Sequence, residues 1–313
     1  MPSFFARQRA VELAAVNLYR DRVEVGHIRR NGSERPNVAL CGQFPCGEDH
    51  GDALRRARRE LHLDRLRCST LLSARQYQLQ LLDAPPSVPE AEMKSAVRWR
   101  LKDFLDYPVE LATVDVVAIP VDKSPAGRGR PVYAVSARNQ DIEACMKTFA
   151  TAKIQLSVID VAEMAQRNLA VLFETDHRAL AMLSFSDEGG LLTFSARGEL
   201  YLSRRIEISL DQLTDALPEM RDQLFERIAL ELQRSLDHFD RQFSQVPLAR
   251  LLLAPLPEEL GLAAYLAGNL SAPVESVNLG DVLDFHEVPE LRERAEQMLR
   301  WQTLGTALRV DTA

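Results

Sequence analysis

Few residues in this 313-residue sequence are spaced as a catalytic site requires. His238 lies in the run Asp237-His-Phe-Asp240, where the flanking acids could support a proton relay or a metal ligand. On a predicted long helix, a partly exposed histidine paired with neighbouring carboxylates is the commoner arrangement, and we favour it. Glu90 and Glu92 begin another predicted helix, where carboxylates stabilise the positive helix end. The sequence therefore offers no general acid or base.

The four cysteines do not predict a metal site. Only Cys41 and Cys46 lie close together in the sequence, whereas a zinc site usually needs two close pairs. The motifs Gly-x-Ser-x-Gly, His-Glu-x-x-His and Gly-x-x-x-x-Gly-Lys-Ser/Thr are all missing. We expect free thiols in a reducing compartment, no catalytic residue, no metal ion and no enzymatic activity.

Arginines cluster in one predicted helix, at Arg55, Arg56, Arg58 and Arg59. A nucleic-acid-binding surface would combine such a cluster with an overall basic charge and with aromatic residues that stack on bases. Here the formal net charge is -7, and no aromatic residue lies among the arginines. We interpret them as the solvated face of a helix and expect no nucleic acid as a partner.

Glycine is scarce, because average usage of about 7% would give roughly 22 glycines and the chain has 14. Loops that bind phosphate need glycine for positive φ angles and for close approach of the backbone to the ligand. Hydrophobic residues make up 46% of the chain and charged residues 27%, as in a folded protein of about two domains. The composition lowers the odds of a nucleotide enzyme.

The sequence contains no segment typical of membrane insertion or export. No run approaches the roughly 18 apolar residues of a spanning helix, and the N-terminus lacks the apolar stretch of a signal peptide. Phe4 and Phe5 beside Arg7 and Arg9 could touch a membrane surface, but one apolar pair is a weak signal. We therefore expect a cytoplasmic protein without a membrane span.

Alternating apolar and polar residues predict a strand hairpin near the N-terminus, with strands at 11–18 and 22–28. Three further strands are predicted between 179 and 208, after a boundary at 174–177. Each half then runs strand hairpin, helix, strand, helix, and the chain is predicted to close with a helix at 290–308. Two similar α/β halves with a cleft between them indicate a duplicated fold.

Four segments of the sequence match a known family in their residue patterns and in their order along the chain. They are the helix with Arg98 and Trp99 that runs into Tyr107-Pro108, the stretch Tyr133-Ala-Val-Ser-Ala-Arg138 followed by Leu156-Ser-Val-Ile-Asp160, the hairpin Arg197-Gly-Glu-Leu-Tyr-Leu-Ser-Arg204, and the closing Leu304-Gly-Thr-Ala-Leu-Arg309. The chain resembles the actin-like PilM family of type IV pilus assembly. It is most similar to the MshI branch, from mannose-sensitive haemagglutinin (MSHA) pili.

This resemblance implies an α/β fold of the actin type, in which a ribonuclease H-like motif is duplicated and an α+β subdomain is inserted. The first actin-like domain would span 1–177, with the inserted subdomain at about 74–153. The second would span 178–313. A nucleotide cleft would lie between the two halves.

The resemblance also implies three nucleotide loops, and all three depart from the family pattern. In the first loop Tyr19 and Arg20 follow Asn17 where the family has a glycine-rich turn, and a tyrosine ring would obstruct a phosphate. The third loop should contain a Gly-Gly pair, but this sequence has Pro255 and Pro257. Neither loop is expected to hold a nucleotide.

In the second loop Ser184 and Ser186 replace an Asp and a Gly of the family pattern. The acids that follow would repel phosphate unless a metal ion neutralised them, and the glycine pair after them is typical of a two-residue hairpin turn. The residues that would face a nucleotide are Asn17, Ser186, Asp187, Gly189 and Gly190. We expect a degenerate pseudo-ATPase that binds ATP weakly or not at all and has no cofactor, and a working protein that binds ATP and magnesium is the alternative.

The partner that the resemblance implies is the N-terminal tail of a bitopic inner-membrane protein, PilN-like or MshJ-like. An extended tail would insert apolar side chains into a groove between the first and the inserted subdomains, with contacts to other pilus assembly proteins. The groove residues would be Arg98, Trp99, Tyr107 and Pro108, although Trp99 could instead be a half-buried packing residue. The cytoplasmic domain of a type II secretion protein L is a neighbouring alternative, which the chain end after Asp311 disfavours.

Overall fold

The computed structural model describes residues 10–30, 32, 35–47, 49–85, 88–120, 129–175 and 178–312. The N-terminal pair Phe4 and Phe5, with Arg7 and Arg9, lies outside these residues. Residues 176 and 177 of the predicted domain boundary lie outside them as well.

The first half of the chain forms a five-stranded sheet in the order β4-β3-β2-β5-β9. Strands β2, β3 and β4 are antiparallel neighbours, whereas β5 and β9 run parallel to β2. The central strand β2 is built from small apolar residues buried on both faces, as expected where helices cover a sheet. The elements are β1 (Ala10–Glu12), β2 (Ala14–Leu18), β3 (Arg22–Arg29), β4 (Asn37–Pro45), α1 (Gly51–Glu60) and β5 (Arg67–Leu71).

An inserted subdomain separates β5 from β9. Its antiparallel sheet has the order β6-β8-β7. One face packs against α2 through Leu82, Val97 and Val132, and the other face packs on the second half of the chain through Tyr77 and Tyr133. Its elements and those that lead out of it are β6 (Tyr77–Asp83), α2 (Glu90–Arg100), β7 (Ala112–Ala118), β8 (Pro131–Arg138), α3 (Asn139–Thr151), β9 (Gln155–Asp160) and α4 (Ala162–Val171).

The second half repeats the strand order of the first half, as β12-β11-β10-β13-β14. Here too the first three strands are antiparallel and the last two run parallel to the first. Its elements are β10 (Ala179–Ser186), β11 (Gly189–Ala196), β12 (Glu199–Ile206), α5 (Leu210–Thr214), α6 (Pro218–Gln242), β13 (Leu248–Leu253), α7 (Leu262–Asn269), β14 (Val274–Ser276), α8 (Arg294–Leu299), α9 (Trp301–Ala307) and β15 (Val310–Thr312).

Both halves therefore contain the same motif, in which the strands lie in the order third, second, first, fourth, fifth. This repeat, with an α+β subdomain inserted between the fourth and fifth strands of the first half, confirms the predicted actin-like fold. The predicted domain bounds at 177 and 178 stay a prediction. A shared core of apolar residues from both sheets and from α4 and α9 joins the halves.

The C-terminal helix departs from the prediction of one helix at 290–308. The chain forms a 3-10 turn at Pro289–Arg292 and then the two short helices α8 and α9. The break before α8 is at Glu293, which is extended, and α9 begins after Arg300, whose side chain reaches a buried carboxylate. Helix α9 lies so close to α4 that a Cβ atom on Gly305 would be 2.4 Å from the carbonyl oxygen of Ala165. Tertiary contacts thus override the helical pattern of this segment.

Candidate functional site

A cleft of about 590 Å³ lies between the two halves, where the hairpin turns of both sheets face each other. It is lined from the first half by the β2-β3 turn, by the segment after β5 and by the start of α1. From the second half it is lined by the β10-β11 turn. The lining residues are Asn17, Leu18, Tyr19, Arg20, His50, Leu71, Leu72, Ser73, Arg75, Gln76, Asp187, Glu188, Asp211 and Gln302.

Asn17 is the last residue but one of β2, and its side chain is buried and hydrogen-bonded inside the protein. Its amide nitrogen donates hydrogen bonds to the hydroxyls of Thr303 at 3.3 Å and Thr306 at 3.2 Å, both on α9. Its amide oxygen accepts a hydrogen bond from the backbone N–H of Leu71 at 3.1 Å. Because its donors and its acceptor already have partners, Asn17 acts as a link between β2, β5 and α9.

Tyr19 occupies the first turn and lies over the same helix. Its backbone N–H donates to the carbonyl of Arg22 at 2.8 Å, and the guanidinium of Arg22 lies over its ring at 4.5 Å. The phenol oxygen is 3.5 Å from the hydroxyl of Thr303. Burial raises the pKa of the Tyr19 phenol, and the nearby charge of Glu24 raises it further. An aromatic ring therefore fills the turn that a phosphate loop would leave open.

A buried carboxylate binds residues that contact this turn. Glu24, fully buried on β3, binds Arg22 at 2.7 Å, Arg300 at 3.1 Å and the hydroxyl of Thr303 at 2.7 Å. Arg300 also donates to the side chain of Gln43 at 2.8 Å. Sequence reasoning missed Glu24, because two of its three partners, Arg300 and Thr303, lie almost 280 residues further along the chain.

The second turn consists of Asp187 and Glu188, not of the predicted glycine pair. Strands β10 and β11 pair through Ser186 and Gly189, so Gly189 and Gly190 belong to the start of β11. The prediction of a two-residue hairpin was right, but its position was wrong by two residues. Gly189 has a φ of 117°, where glycine is favoured, and a Cβ on Gly190 would be 2.9 Å from the ring of Phe185.

The polar side chains of this second hairpin are also bonded within the protein. Ser186 donates its hydroxyl hydrogen to the carbonyl of Gly189 at 3.3 Å and accepts from the N–H of Glu188 at 3.2 Å. The hydroxyl of Ser184 lies 2.5 Å from the amide oxygen of Gln166 on α4, so this side chain faces the interior. In the third loop Pro255 is buried. The polar side chains of the first two loops thus have protein partners, and the third loop buries a proline.

One contact crosses the cleft between the halves. The carboxylate of Glu188 accepts a hydrogen bond from the backbone N–H of Ala74 at 2.9 Å and another from the hydroxyl of Ser73. Sequence reasoning treated Glu188 only as a source of repulsion. Its role depends on the distance between two loops that are over 100 residues apart, and no local pattern signals that distance.

The four predicted partner-binding residues lie together in the inserted subdomain but have different environments. Arg98 donates hydrogen bonds to the carbonyls of Val109 at 2.9 Å and Glu110 at 3.0 Å. The guanidinium of Arg138 lies 4.1 Å from the ring centre of Tyr107, which is half-buried. Trp99 is 67% exposed, so its interpretation as a half-buried packing residue was wrong. Pro108 is exposed.

Other candidate groups form no site. Nε2 of His238 is buried without a hydrogen-bond partner, so the predicted pairing with a carboxylate is not formed through this atom. Burial raises the pKa of Cys68 to about 12 and that of Cys145 to about 11. Within the described part of the chain, no cluster of His, Cys, Asp and Glu has the arrangement of a metal site. No helix there is long and apolar enough to cross a membrane.

Solved structures with a similar fold include a PilM-PilN type IV pilus biogenesis complex, at 20% sequence identity and a TM-score of 0.71, with 96% of this chain and 98% of that chain covered. The cytoplasmic domain of EpsL, from the type II secretion system of Vibrio cholerae, matches at 16% identity and a TM-score of 0.41 over 62% of this chain and 71% of that chain. A Bacteroides thetaiotaomicron protein with an actin-like ATPase fold matches at 10% identity and a TM-score of 0.49 over 93% of this chain and 98% of that chain.

The similarity to the PilM-PilN complex extends over nearly the whole length of both chains and shows a common fold. No protein-family model and no curated protein matches the sequence. The predicted resemblance to PilM is therefore supported at the level of the fold, and the assignment to the MshI branch stays a prediction.

Proposed function

We propose that this protein is a cytoplasmic adaptor of type IV pilus biogenesis, of the MSHA type, which binds the N-terminal tail of a PilN-like or MshJ-like inner-membrane protein. The observation that carries the proposal is the fold shared with a PilM-PilN complex over 96% of this chain. The four sequence segments that resemble the PilM family support it. In this proposal the partner holds the adaptor at the inner membrane and connects it to the other assembly proteins.

The contents of the cleft support a function without ATP hydrolysis. Tyr19 fills the first turn, and Glu188 places a negative charge on the Ser73-Ala74 loop, where it would repel a phosphate. Both amide hydrogens of Asn17 are bonded to Thr303 and Thr306, and the side chain is buried, so it offers no donor to a ligand. We therefore include in the proposal that the protein is a pseudo-ATPase and that partner binding needs no nucleotide.

The inserted subdomain supplies the surface that fits an apolar tail. Three large apolar side chains at the end of α2 and in the segment that follows it are strongly exposed: Trp99 at 67%, Phe104 at 50% and Leu111 at 55%. The hydrogen bonds of Arg98 connect the end of α2 to the segment before β7, so the backbone that carries the exposed residues is held in place. Exposed apolar patches mark sites of protein association, and tryptophan often contributes most of the binding energy, so Trp99 is the leading candidate.

We therefore propose different roles for the residues of the predicted binding set. Arg98 and Tyr107 act as positioning residues, because their side chains already have partners in the protein. Trp99 is the residue proposed to contact the partner, and Phe104 and Leu111 are the next candidates because they are also exposed. This surface suits an extended segment whose apolar side chains pack on Trp99 while its backbone bonds to neighbouring polar groups.

The test is a calorimetric titration of the protein with a synthetic peptide of the MshJ-like N-terminal tail. We expect Trp99→Ala to weaken binding about thirtyfold, since an interface hot spot contributes about 2 kcal/mol. The melting temperature should change little, because the side chain is mostly exposed. The wild-type affinity should be the same with and without Mg-ATP.

A matched control is Leu217→Ala, which removes an apolar side chain that is 69% exposed in the second half of the chain. It should bind the peptide as the wild type does. Unchanged binding by both Trp99→Ala and Phe104→Ala would refute this surface. A wild-type affinity that depends on Mg-ATP would refute the pseudo-ATPase.

A further inference from the structure

The two halves are connected across the cleft by a carboxylate of the chain itself. Glu188 lies in the turn between β10 and β11, and its carboxylate accepts hydrogen bonds from Ser73 and Ala74 on the other side of the cleft. One bond comes from a hydroxyl and the other from a backbone N–H at 2.9 Å. Hydrogen bonds to an ionised acceptor are stronger than those between neutral groups.

The donors are held in position by their own loop. Ser73 and Ala74 follow β5, the strand next to β2. The backbone N–H of Ser73 donates to the side-chain oxygen of Gln76 at 3.0 Å, and the N–H of Gln76 donates to the carbonyl of Ser73 at 2.9 Å. This closed turn leaves the Ser73 hydroxyl and the Ala74 N–H directed at Glu188.

The acceptor is held in position as well. The hydroxyl of Ser186 accepts from the N–H of Glu188 at 3.2 Å and donates to the carbonyl of Gly189 at 3.3 Å, which closes the turn. The positive φ of Gly189 lets β11 begin directly after the turn. Asp187, the other residue of the turn, is exposed and lines the same cleft without a role in these bonds.

A second connection fixes the same segment a few residues later. Tyr77, the first residue of β6, donates its hydroxyl hydrogen to Glu163 on α4 at 2.5 Å. Arg205 on β12 donates to Glu163 at 3.0 Å and to the Tyr77 oxygen. Residues 73–77 form the base of the inserted subdomain. Glu188 therefore holds one end of this base and Arg205 holds the other.

We propose that Glu188 is an internal clasp, whose carboxylate bridges the two halves as a bound anion would and so keeps the cleft closed without a nucleotide. The Glu188 clasp, defined as Glu188 with Ser73 and Ala74, also fixes the base of the inserted subdomain relative to the second half. This role concerns the closure of the cleft, and it stands whether or not the protein binds a pilus partner.

Amide hydrogen exchange of the full chain tests the clasp at one atom, because the Ala74 N–H is itself a donor to Glu188. In Glu188→Ala we expect this amide to exchange about tenfold faster, since its bond and the closure of the cleft are both lost. Glu188→Gln keeps an acceptor oxygen without the charge and should give an intermediate rate. Amides of the central strand β2 should not change.

The control is Asp187→Ala, which removes a negative charge from the same turn and should leave the exchange of Ala74 unchanged. Ser73→Ala should accelerate it only in part, because the bond from the Ala74 N–H remains. The double variant of Ser73 and Glu188 should be no faster than Glu188→Ala alone, since both changes act on one contact.

Two results would overturn the clasp. One is an Ala74 exchange rate in Glu188→Ala that equals that of the wild type. The other is a wild-type rate that falls on addition of Mg-ATP, because a nucleotide rather than Glu188 would then close the cleft. Neither result depends on the pilus peptide, so failure of the clasp and failure of the adaptor proposal are distinguishable.

Discussion

The first strand hairpin of each half faces the same cleft, but the two turns are stabilised in different ways. The turn of the first half, at Tyr19, rests on buried contacts with α9 and on the carboxylate of Glu24. The turn of the second half, at Asp187 and Glu188, is exposed and reaches across the cleft through one side chain. The same turn of the repeated motif is thus stabilised by a buried network in the first half and by a surface contact in the second half.

Under the proposal of the Glu188 clasp, the two turns would keep the cleft closed without a nucleotide. The first turn is tied to the global stability of the protein, because opening it would separate Glu24 from its buried partners Arg300 and Thr303. The second turn costs little to open, since Glu188 can return to water. We therefore expect substitutions of the buried residues that contact the first turn to change the free energy of unfolding. Those at the second turn should change mainly local exchange.

The largest effect is expected for Glu24→Ala. It leaves Arg22 and Arg300 without their buried partner and should lower the free energy of unfolding by about 3–5 kcal/mol. Asp21→Ala is the control, because the side chain of Asp21 is 72% exposed and binds the same Arg22. It should cost about 0–1 kcal/mol. Denaturant unfolding measures both, and equal losses would contradict a special role for the buried network.

A smaller loss is expected for Gly305→Ala, which tests whether the first turn depends on the position of α9. A Cβ atom there would be 2.4 Å from a backbone oxygen of α4, so the helices must separate at a cost of about 1–3 kcal/mol. Amide exchange should increase at the first turn and not at the second. Gly268→Ala is the control. Gly268 lies in α7, where a Cβ atom meets open space, so this substitution should not destabilise the protein.

The smallest effect is expected at alkaline pH. Burial raises the pKa of Tyr19 in the folded protein, whereas in the unfolded chain a tyrosine ionises near pH 10. Above about pH 10 the unfolded state therefore binds fewer protons than the folded state, and stability falls as the pH rises. Tyr19→Phe removes this contribution. Its stability should fall less steeply than that of the wild type between about pH 10 and 11, and parallel curves would contradict the prediction.

The sequence predicted the duplicated fold because periodicity and order are local properties. The alternation in β2 and β3 and the three strands after residue 178 indicate the same motif twice, and the structure has both. Where local pattern competed with tertiary contact, the prediction was wrong. The pattern of the terminal segment predicts one helix. In the structure α8 ends and α9 begins at Arg300, whose side chain binds Glu24.

Within the candidate site, the sequence identified the loops but not their contacts. It placed Tyr19 in the first turn and marked the acidic turn of the second half as unsuited to phosphate. It did not predict that Glu188 bonds to Ala74 or that Trp99 is exposed. Both depend on which surfaces the folded halves bring together or leave uncovered.

By itself, then, the sequence determined the repeated motif and the lack of glycine in its loops, since these follow from residue type and spacing along the chain. Only the tertiary structure decided which contacts hold these loops in place. Glu24 and Glu188 are both carboxylates near hairpin turns, yet one is buried among two arginines and the other bridges the cleft from the surface. Burial and long-range distance separate their roles, and neither is a property of the local sequence.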